Sequence, residues 1–132
     1  MIFVDTSFFI AVGNARDAHH AEATHLLERH GRAGLVTSNL VRGESCTFIN
    51  RRYGHRAAVG FLDRLEASTQ LEILPVNQDV EDQALRWLRR HDEREYSFVD
   101  ATSFALMRSL TIREALAFDG DFAAAGFVAL QI

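Results

Sequence analysis

Hydrophobic residues fall along the chain in two patterns that alternate from one end to the other. Short apolar runs are typical of buried strands, and longer segments with apolar residues at the helical repeat are typical of amphipathic helices. The predicted strands are Ile2–Val4, Leu35–Thr37, Leu71–Val76 and Ala115–Phe118. The predicted helices are Ser7–Val12, Ala18–His30, Asn39–Arg52, Ala57–Ala67, Val80–His91 and Ser97–Leu110, and Phe127–Leu130 closes the chain.

Polar residues and glycines mark the ends of these elements. Ser38 and Asn77 precede helical segments and are typical N-cap residues, while Gly31 and Gly54 follow helical segments and end them. Strands that alternate with helices at this spacing are typical of parallel sheets. The sequence therefore predicts an α/β fold in which a parallel β-sheet is flanked by α-helices on both faces.

Four acidic residues from distant segments are predicted to meet at one edge of that sheet. The carboxyl ends of parallel strands share an edge, and α/β folds bind ligands there. Asp5 and Asp119 directly follow predicted strands, whereas Glu44 lies in the helix after the second strand. Asp100 lies in the first turn of the helix that begins at Ser97. The topology can therefore bring these four carboxylates together.

Carboxylates that share one cleft repel each other strongly, so either their pKa values rise or a cation binds among them. A ligand set made only of oxygen suits Mg²⁺ or Mn²⁺ better than zinc. Such a site can activate water and neutralise the charge of a phosphodiester. The pattern thus indicates metal-assisted hydrolysis of a phosphodiester.

Each of these acids also has a purely structural interpretation. Asp119-Gly120 is a favourable turn pair, and Ser97 with Asp100 fits a capping box, in which Asp100 would only close a helix end. Glu44 could be a solvated helix residue, and Asp5 could simply end a strand. Position along the chain does not decide between the two interpretations.

Composition narrows the chemistry further. The chain has 132 residues and a formal net charge of −4, which is the size of one domain. All 14 basic residues are arginine, which excludes P-loop and Schiff-base sites because both need lysine. The single cysteine, Cys46, excludes an internal disulfide and favours a reducing cytoplasm. No segment approaches the roughly 20 apolar residues of a membrane span, so no membrane partner is expected.

The segments that carry the four acids resemble the PIN-domain nucleases, in particular the VapC toxins of bacterial toxin–antitoxin modules. The matching segments are Phe3–Ser7, Thr37–Asn39 leading to Glu44, Ser97–Ala101 and Ala117–Phe122. They follow each other in the order of the family over nearly the whole chain. One such motif is a weak signal, but four in order within so short a chain are a strong one.

The resemblance implies a PIN-domain fold over a single domain, residues 1–132, and an endoribonuclease activity that depends on Mg²⁺ or Mn²⁺. The family's acidic quartet maps onto Asp5, Glu44, Asp100 and Asp119. Thr6 matches the hydroxyl beside the first acid, and Ser97 matches a hydroxyl before the third. Asp121 is a second acid near the fourth position, and the family spacing favours Asp119 there, with Asp121 outside the direct ligands.

The resemblance also implies the partners. The substrate would be a structured RNA of the translation machinery, either a tRNA or the sarcin–ricin loop of ribosomal RNA, cut to leave a 5′-phosphate and a 3′-hydroxyl. A VapB-type antitoxin encoded alongside would lay a segment across the cleft. Dimerisation is common in the family, so a homodimer is also expected. The alternative function is a catalytically inactive PIN-fold module that binds RNA or a protein partner.

An acidic chain needs a local basic surface to hold RNA, because contacts with phosphates favour positive charge. Residues 38–64 hold five arginines against two acids. The candidate RNA contacts are Arg42, Asn50, Arg51, Arg52, Tyr53 and Arg56. Arginine can bind phosphate through two parallel hydrogen bonds, and tyrosine can stack on an unpaired base. The structural alternative is a solvated helix end with extended arginines.

Overall fold

The computed structural model describes residues 1–132 and contains five strands and seven α-helices. The strands are β1 Ile2–Val4, β2 Leu35–Ser38, β3 Leu71–Leu74, β4 Glu114–Leu116 and β5 Val128–Ala129. The helices are α1 Thr6–Gly13, α2 His20–His30, α3 Asn39–Tyr53, α4 His55–Ala67, α5 Gln78–Arg90, α6 Phe98–Ser109 and α7 Asp121–Ala124. A short 3-10 helix, Gly31–Ala33, precedes β2. None of these helices is both long and apolar enough to cross a membrane.

All five strands are parallel and lie in the order β3-β2-β1-β4-β5. Ile2 of the central strand β1 is opposite Leu35 of β2 on one side and Glu114 of β4 on the other. The chain first builds the sheet outward from β1 through β2 to β3, and then returns to add β4 and β5 on the other side. The order therefore reverses between β1 and β4, which is the position where open α/β sheets bind ligands.

Apolar residues cover both faces of the sheet, as the sequence predicts. Side chains of a strand alternate between the two faces. Ile2 and Val4 accordingly pack in one buried cluster with Phe8 of α1 and Leu26 of α2. Phe3 packs in the opposite cluster, whose other members include Val36, Trp87, Phe104, Met107, Ile112 and Phe122. The predicted α/β architecture with helices on both faces is confirmed.

Several element boundaries differ from those predicted. The strand predicted over Leu71–Val76 ends at Leu74, because Pro75 has no N–H for the ladder and the N–H of Val76 donates to Asn39 Oδ1 instead, at 2.8 Å. The strand predicted to reach Phe118 ends at Leu116, since the N–H of Phe118 donates to Ser7 Oγ at 3.0 Å. In both places a side chain replaces the neighbouring strand as hydrogen-bond partner.

The helical boundaries shift by one or two residues, and one helix was not predicted. The helix expected from Ser7 begins at Thr6, the one expected from Ala18 begins at His20, and the one expected from Val80 begins at Gln78. Ser38 and Asn77 do cap their helices, each accepting a hydrogen bond from a backbone N–H at 3.0 Å. The four-residue α7 lacks a helical repeat long enough to detect, so its sequence pattern could not predict it.

Candidate metal centre

Three aspartates from three distant segments meet at the carboxyl edge of the sheet. Asp5 follows β1, Asp119 follows β4, and Asp100 lies in the first turn of α6. One carboxylate oxygen of each lies within 4.8 Å of the others, a spacing at which a single cation can bind all three. Asp5 and Asp100 are buried, with 3% and 8% of their surfaces exposed. The cluster stands at the position where the strand order reverses.

Asp5 is held by the helix that follows it. It is the N-cap of α1, and its Oδ2 accepts hydrogen bonds from the N–H of Ser7 at 3.2 Å and from Ser7 Oγ at 2.8 Å. Ser7 Oγ in turn accepts a hydrogen bond from the N–H of Phe118. Ser7 thus ties the end of β1 to the segment that carries Asp119. Sequence reasoning missed this role of Ser7, although an aspartate just before a helix is a typical N-cap.

Asp100 serves two purposes at once. It forms a capping box with Ser97: the N–H of Asp100 donates to Ser97 Oγ at 2.9 Å, and the N–H of Ser97 donates to Asp100 Oδ2 at 3.2 Å. A carboxylate has two oxygens and about four lone-pair sites. Oδ1 of Asp100 accepts no hydrogen bond from the chain, so the structural role of this residue leaves an oxygen free for a cation.

Glu44 lies at the edge of the cluster and is not a member of it. It lines a cleft of about 410 Å³ together with the three aspartates, Thr6 and Ser97. Its Oε1 accepts a hydrogen bond from Thr6 Oγ1 at 2.7 Å, and Thr6 Oγ1 accepts one from Ser45 Oγ at 3.1 Å. Of the four carboxylates expected to converge, three do so directly. Thr6 contacts Glu44 and makes no hydrogen bond to the adjacent Asp5.

Asp121 lies close to the cluster but faces an arginine. Its Oδ1 accepts a hydrogen bond from Arg94 Nε at 2.9 Å, and its N–H donates to Asp119 Oδ1 at 3.0 Å. The structure therefore brings Asp119 into the cluster, while the carboxylate of Asp121 is paired elsewhere. The backbone of Asp121 still helps to place Asp119.

Burial and mutual repulsion change the acidity of two of these carboxyls. Burial, together with the charges of Asp119 and Asp100, raises the pKa of Asp5 to about 8, and the hydrogen bonds from Ser7 oppose the change. Burial also raises the pKa of Asp100 to about 6, against the hydrogen bonds from Ser97. No basic side chain forms a salt bridge with the three aspartates. A hard divalent cation would favour the ionised carboxyls, and the donor set fits one.

Only some of the residues predicted to contact RNA lie beside the acidic side chains. Arg51 and Arg52 line a cleft of about 720 Å³ that also contains Glu44, Phe48 and Phe98. The other candidates are Arg42, Asn50, Tyr53 and Arg56, all exposed and none in that cleft. The Tyr53 hydroxyl accepts a hydrogen bond from Asn14 Nδ2 at 2.7 Å. Of the six predicted RNA contacts, only Arg51 and Arg52 therefore share a cleft with Glu44.

Comparisons with known proteins identify the family of the chain. The family model described as PIN domain matches residues 2–128. The 23S rRNA-specific endonuclease VapC20 of Mycobacterium tuberculosis, in strains H37Rv and CDC 1551, is 56% identical over 131 residues, which are 99% of this chain and 98% of the relative.

Solved structures show the same relationship. The crystal structure of Mycobacterium tuberculosis VapC20, a sarcin–ricin loop cleaving toxin, superposes with a TM-score of 0.94 at 54% identity and covers 100% of both chains. The structure of FitAcB from Neisseria gonorrhoeae shares the fold, with a TM-score of 0.72 at 16% identity over 99% of this chain and 97% of the other. The chain belongs to the PIN domain family and, within it, to the VapC proteins.

Proposed function

We propose that this protein is a toxin of a toxin–antitoxin module that cuts ribosomal RNA with the help of a divalent metal. The observation that carries the proposal is the convergence of three aspartates at the switch point of a chain 56% identical to a 23S rRNA endonuclease. Of the two RNA classes considered from the sequence, that relative favours the sarcin–ricin loop of 23S rRNA over tRNA. We expect the active form to be one domain spanning residues 1–132.

Asp5, Asp100 and Asp119 would hold Mg²⁺ or Mn²⁺, with Glu44 completing the set from the edge of the cleft. When bound, such a metal supplies activated water and neutralises the charge that develops on the phosphodiester. The residues of the chain supply positioning: Ser7 orients Asp5, Ser97 holds Asp100, and Thr6 fixes one oxygen of Glu44. The expected products carry a 5′-phosphate and a 3′-hydroxyl.

Arg51 and Arg52 would bind the RNA next to the cleavage centre. Both line the cleft that contains Glu44, and arginine can bind a phosphate through two parallel hydrogen bonds. Exposed Phe48 and Phe98 line the same cleft and offer flat apolar surfaces to unpaired bases. Arg42, Asn50, Tyr53 and Arg56 would contact RNA only beyond this cleft.

The partners follow from the same proposal. A VapB-type antitoxin would neutralise the toxin by laying a segment across the acidic cleft and excluding RNA. The protein would act as a homodimer in the cytoplasm, where ribosomes are exposed to it. The alternative of an inactive binding module has no observation of its own in its favour, since the acidic cluster is intact.

A cleavage assay with purified protein tests the proposal. A synthetic sarcin–ricin hairpin should be cut at one bond in the presence of Mg²⁺ or Mn²⁺, and EDTA should abolish the cut. Asp5→Asn should lower the cleavage rate by more than about 100-fold. Mutation of residues that only hydrogen-bond to metal ligands already lowers metal affinity or activity by about 10–100-fold. Cleavage that persists in EDTA, or equal rates for Asp5→Asn and wild type, would overturn the metal mechanism.

A matched pair of variants distinguishes the two neighbouring acids. Asp119→Asn should abolish cleavage, whereas Asp121→Asn should retain most of it, because the Asp121 carboxylate pairs with Arg94. Sequencing of RNA ends after brief expression in cells, wild type against Asp5→Asn, then identifies the RNA that is cut. Ends that map to tRNA would replace the ribosomal target while keeping the enzyme.

A further inference from the structure

A second basic cleft, of about 520 Å³, lies between α5, α6 and the end of α7. Arg86 and Arg90 of α5 and Arg108 of α6 line it. None of the three forms a salt bridge. The one carboxylate in the lining, Glu93, accepts a hydrogen bond at 2.9 Å from His91 Nδ1. The lining therefore holds three arginines against one glutamate, and no acid is paired with any of the three.

Arg108 is held in place by aromatic rings. Its guanidinium carbon lies 5.5 Å from the ring centroid of Trp87 and 5.3 Å from that of Phe127. Such stacking limits the freedom of the side chain and leaves its N–H groups free to bind a ligand. Partial burial beside these rings lowers the pKa of Arg108. A bound anion would oppose this change.

Two helices connect this cleft with the acidic cluster. α6 carries Asp100 in its first turn and contributes Arg108 to the cleft, which is about 12 Å further along the helix axis. α7 begins at Asp121, two residues after Asp119, and its C-cap Ala125 lines the cleft. Each strand of a nucleic-acid duplex carries one phosphate per about 3.4 Å of the duplex axis. An RNA held at the cluster could therefore reach the cleft within a few nucleotides.

We propose that this arginine cleft binds backbone phosphates of the RNA substrate, outside the cleavage centre. The inference rests on the proposed ribonuclease function and adds a second contact surface to it. Three guanidiniums that line one cleft, none of them in a salt bridge, suit phosphate better than a neutral ligand, because each can donate two parallel hydrogen bonds. The connection through α6 and α7 favours RNA over an acidic peptide, because an RNA bound at the three aspartates can extend to this cleft.

A binding experiment with matched charge changes tests this surface. The double variant Arg86→Gln with Arg90→Gln is compared with Arg29→Gln with Arg89→Gln, which removes the same charge from exposed positions outside the cleft. The probe is a fluorescent sarcin–ricin hairpin in EDTA, titrated at several NaCl concentrations. The cleft variant should bind about tenfold more weakly, and its salt dependence should be shallower by about one unit per lost contact. The control should change by less than about threefold.

Cleavage kinetics separate failure of this inference from failure of the proposed function. With metal present, the cleft variant should show a raised KM and an unchanged kcat, because it loses binding away from the reacting bond. If wild type neither binds nor cuts the hairpin, the proposed function fails first. If wild type does both and the two double variants behave alike, the cleft assignment is overturned. If the cleft variant binds a polyglutamate peptide more weakly than wild type but binds the RNA equally well, the assignment of this cleft to RNA is also overturned.

Discussion

At the scale of single residues, hydroxyl groups decide where the acidic side chains of the candidate metal centre lie. Ser7 Oγ donates to Asp5, Thr6 Oγ1 donates to Glu44, and Ser97 Oγ accepts the N–H of Asp100. Hydrogen bonds to an ionised carboxylate are shorter and stronger than those between neutral groups. Groups held in place before the reaction need no rearrangement during it. We therefore expect each hydroxyl to affect the cleavage rate as well as the stability of the fold.

Thr6→Val tests the positioning of Glu44. The variant keeps the shape of Thr6 but removes the donor to Glu44 and the acceptor for Ser45. Cleavage should fall by about 10–100-fold, as for other residues that orient metal ligands. Thr6→Ser should restore most of the rate, because it returns the hydroxyl. Steady-state kinetics on the hairpin RNA measures both.

A buried threonine elsewhere provides the control. Thr37 Oγ1 donates to the backbone carbonyl of Val4 at 2.7 Å and makes no hydrogen bond to an acidic side chain. Thr37→Val should lower the free energy of unfolding by about 1–3 kcal/mol, as expected for an unsatisfied buried partner, and leave the cleavage rate of the folded protein near that of wild type. Equal losses of rate for both valine variants would reduce the role of Thr6 to stability.

At the scale of elements, the first turns of helices carry most of the candidate centre. Asp5 caps α1, Asp100 is the third residue of α6, and the short α7 starts just after Asp119. Helix N-termini carry partial positive charge and unpaired N–H groups, which favour carboxylates nearby. The helix starts therefore hold these acids at the sheet edge before any cation binds.

Ser97→Ala and Asn77→Ala separate the stability of a helix cap from its effect on the site. Each removes a side chain that accepts a backbone N–H at the start of a helix, α6 or α5. Both should lower the free energy of unfolding by about 1 kcal/mol. Only Ser97→Ala should also weaken metal binding, because the first turn of α6 carries Asp100. Thermal unfolding and Mn²⁺ titration measure the two effects, and weaker Mn²⁺ binding in Asn77→Ala would contradict this assignment.

At the scale of the whole molecule, the acidic cluster joins segments that are far apart in the chain. Asp5 and Asp119 follow adjacent strands, while Asp100 arrives on a helix from a separate crossover. Bringing these carboxyls together without a cation opposes folding whenever they are ionised. The stability of the whole fold should therefore depend on both pH and divalent metal.

The metal-free protein should lose stability as the pH rises from about 4 to about 8. Asp5 has a folded pKa of about 8 against 3.8 for the free group, and Asp100 one of about 6. The folded state thus binds more protons than the unfolded state in this range, so the stabilisation present below pH 3.8 is lost as the pH passes the folded pKa values. In EDTA, Tm should fall by several degrees between pH 5 and pH 8.

Added Mn²⁺ should reverse this trend, because it binds the ionised carboxyls of the folded state. The rise in Tm on addition of MnCl₂ should be larger at pH 8 than at pH 5. Asp5→Asn removes the carboxyl whose pKa is raised most, so it should flatten the pH dependence of Tm in EDTA. A Tm that rises with pH in wild-type protein without metal would contradict the assigned burial of these acids.

Local sequence accounts for most elements because their causes are local. The apolar periodicity of α5, the caps Ser38 and Asn77, and the apolar run of β1 each depend on neighbours in the chain. The predicted ends of β3 and β4 lie beyond the observed ones. The reason is that side chains of Asn39 and Ser7, 37 and 111 residues away in the chain, accept the backbone N–H groups there. Partners so distant leave no mark on local periodicity.

The order of the motifs along the chain was enough to predict the α/β class and the family resemblance. It also predicted which acidic residues would lie at one edge of the sheet. Only the tertiary structure decided that Asp119 joins Asp5 and Asp100 while Asp121 pairs with Arg94, and that Thr6 serves Glu44. It also assembled the arginine cleft from two helices whose sequences each carry as many acidic residues as arginines. The physical reason is that periodicity records which face of an element is buried, whereas a site depends on distances between side chains from different elements.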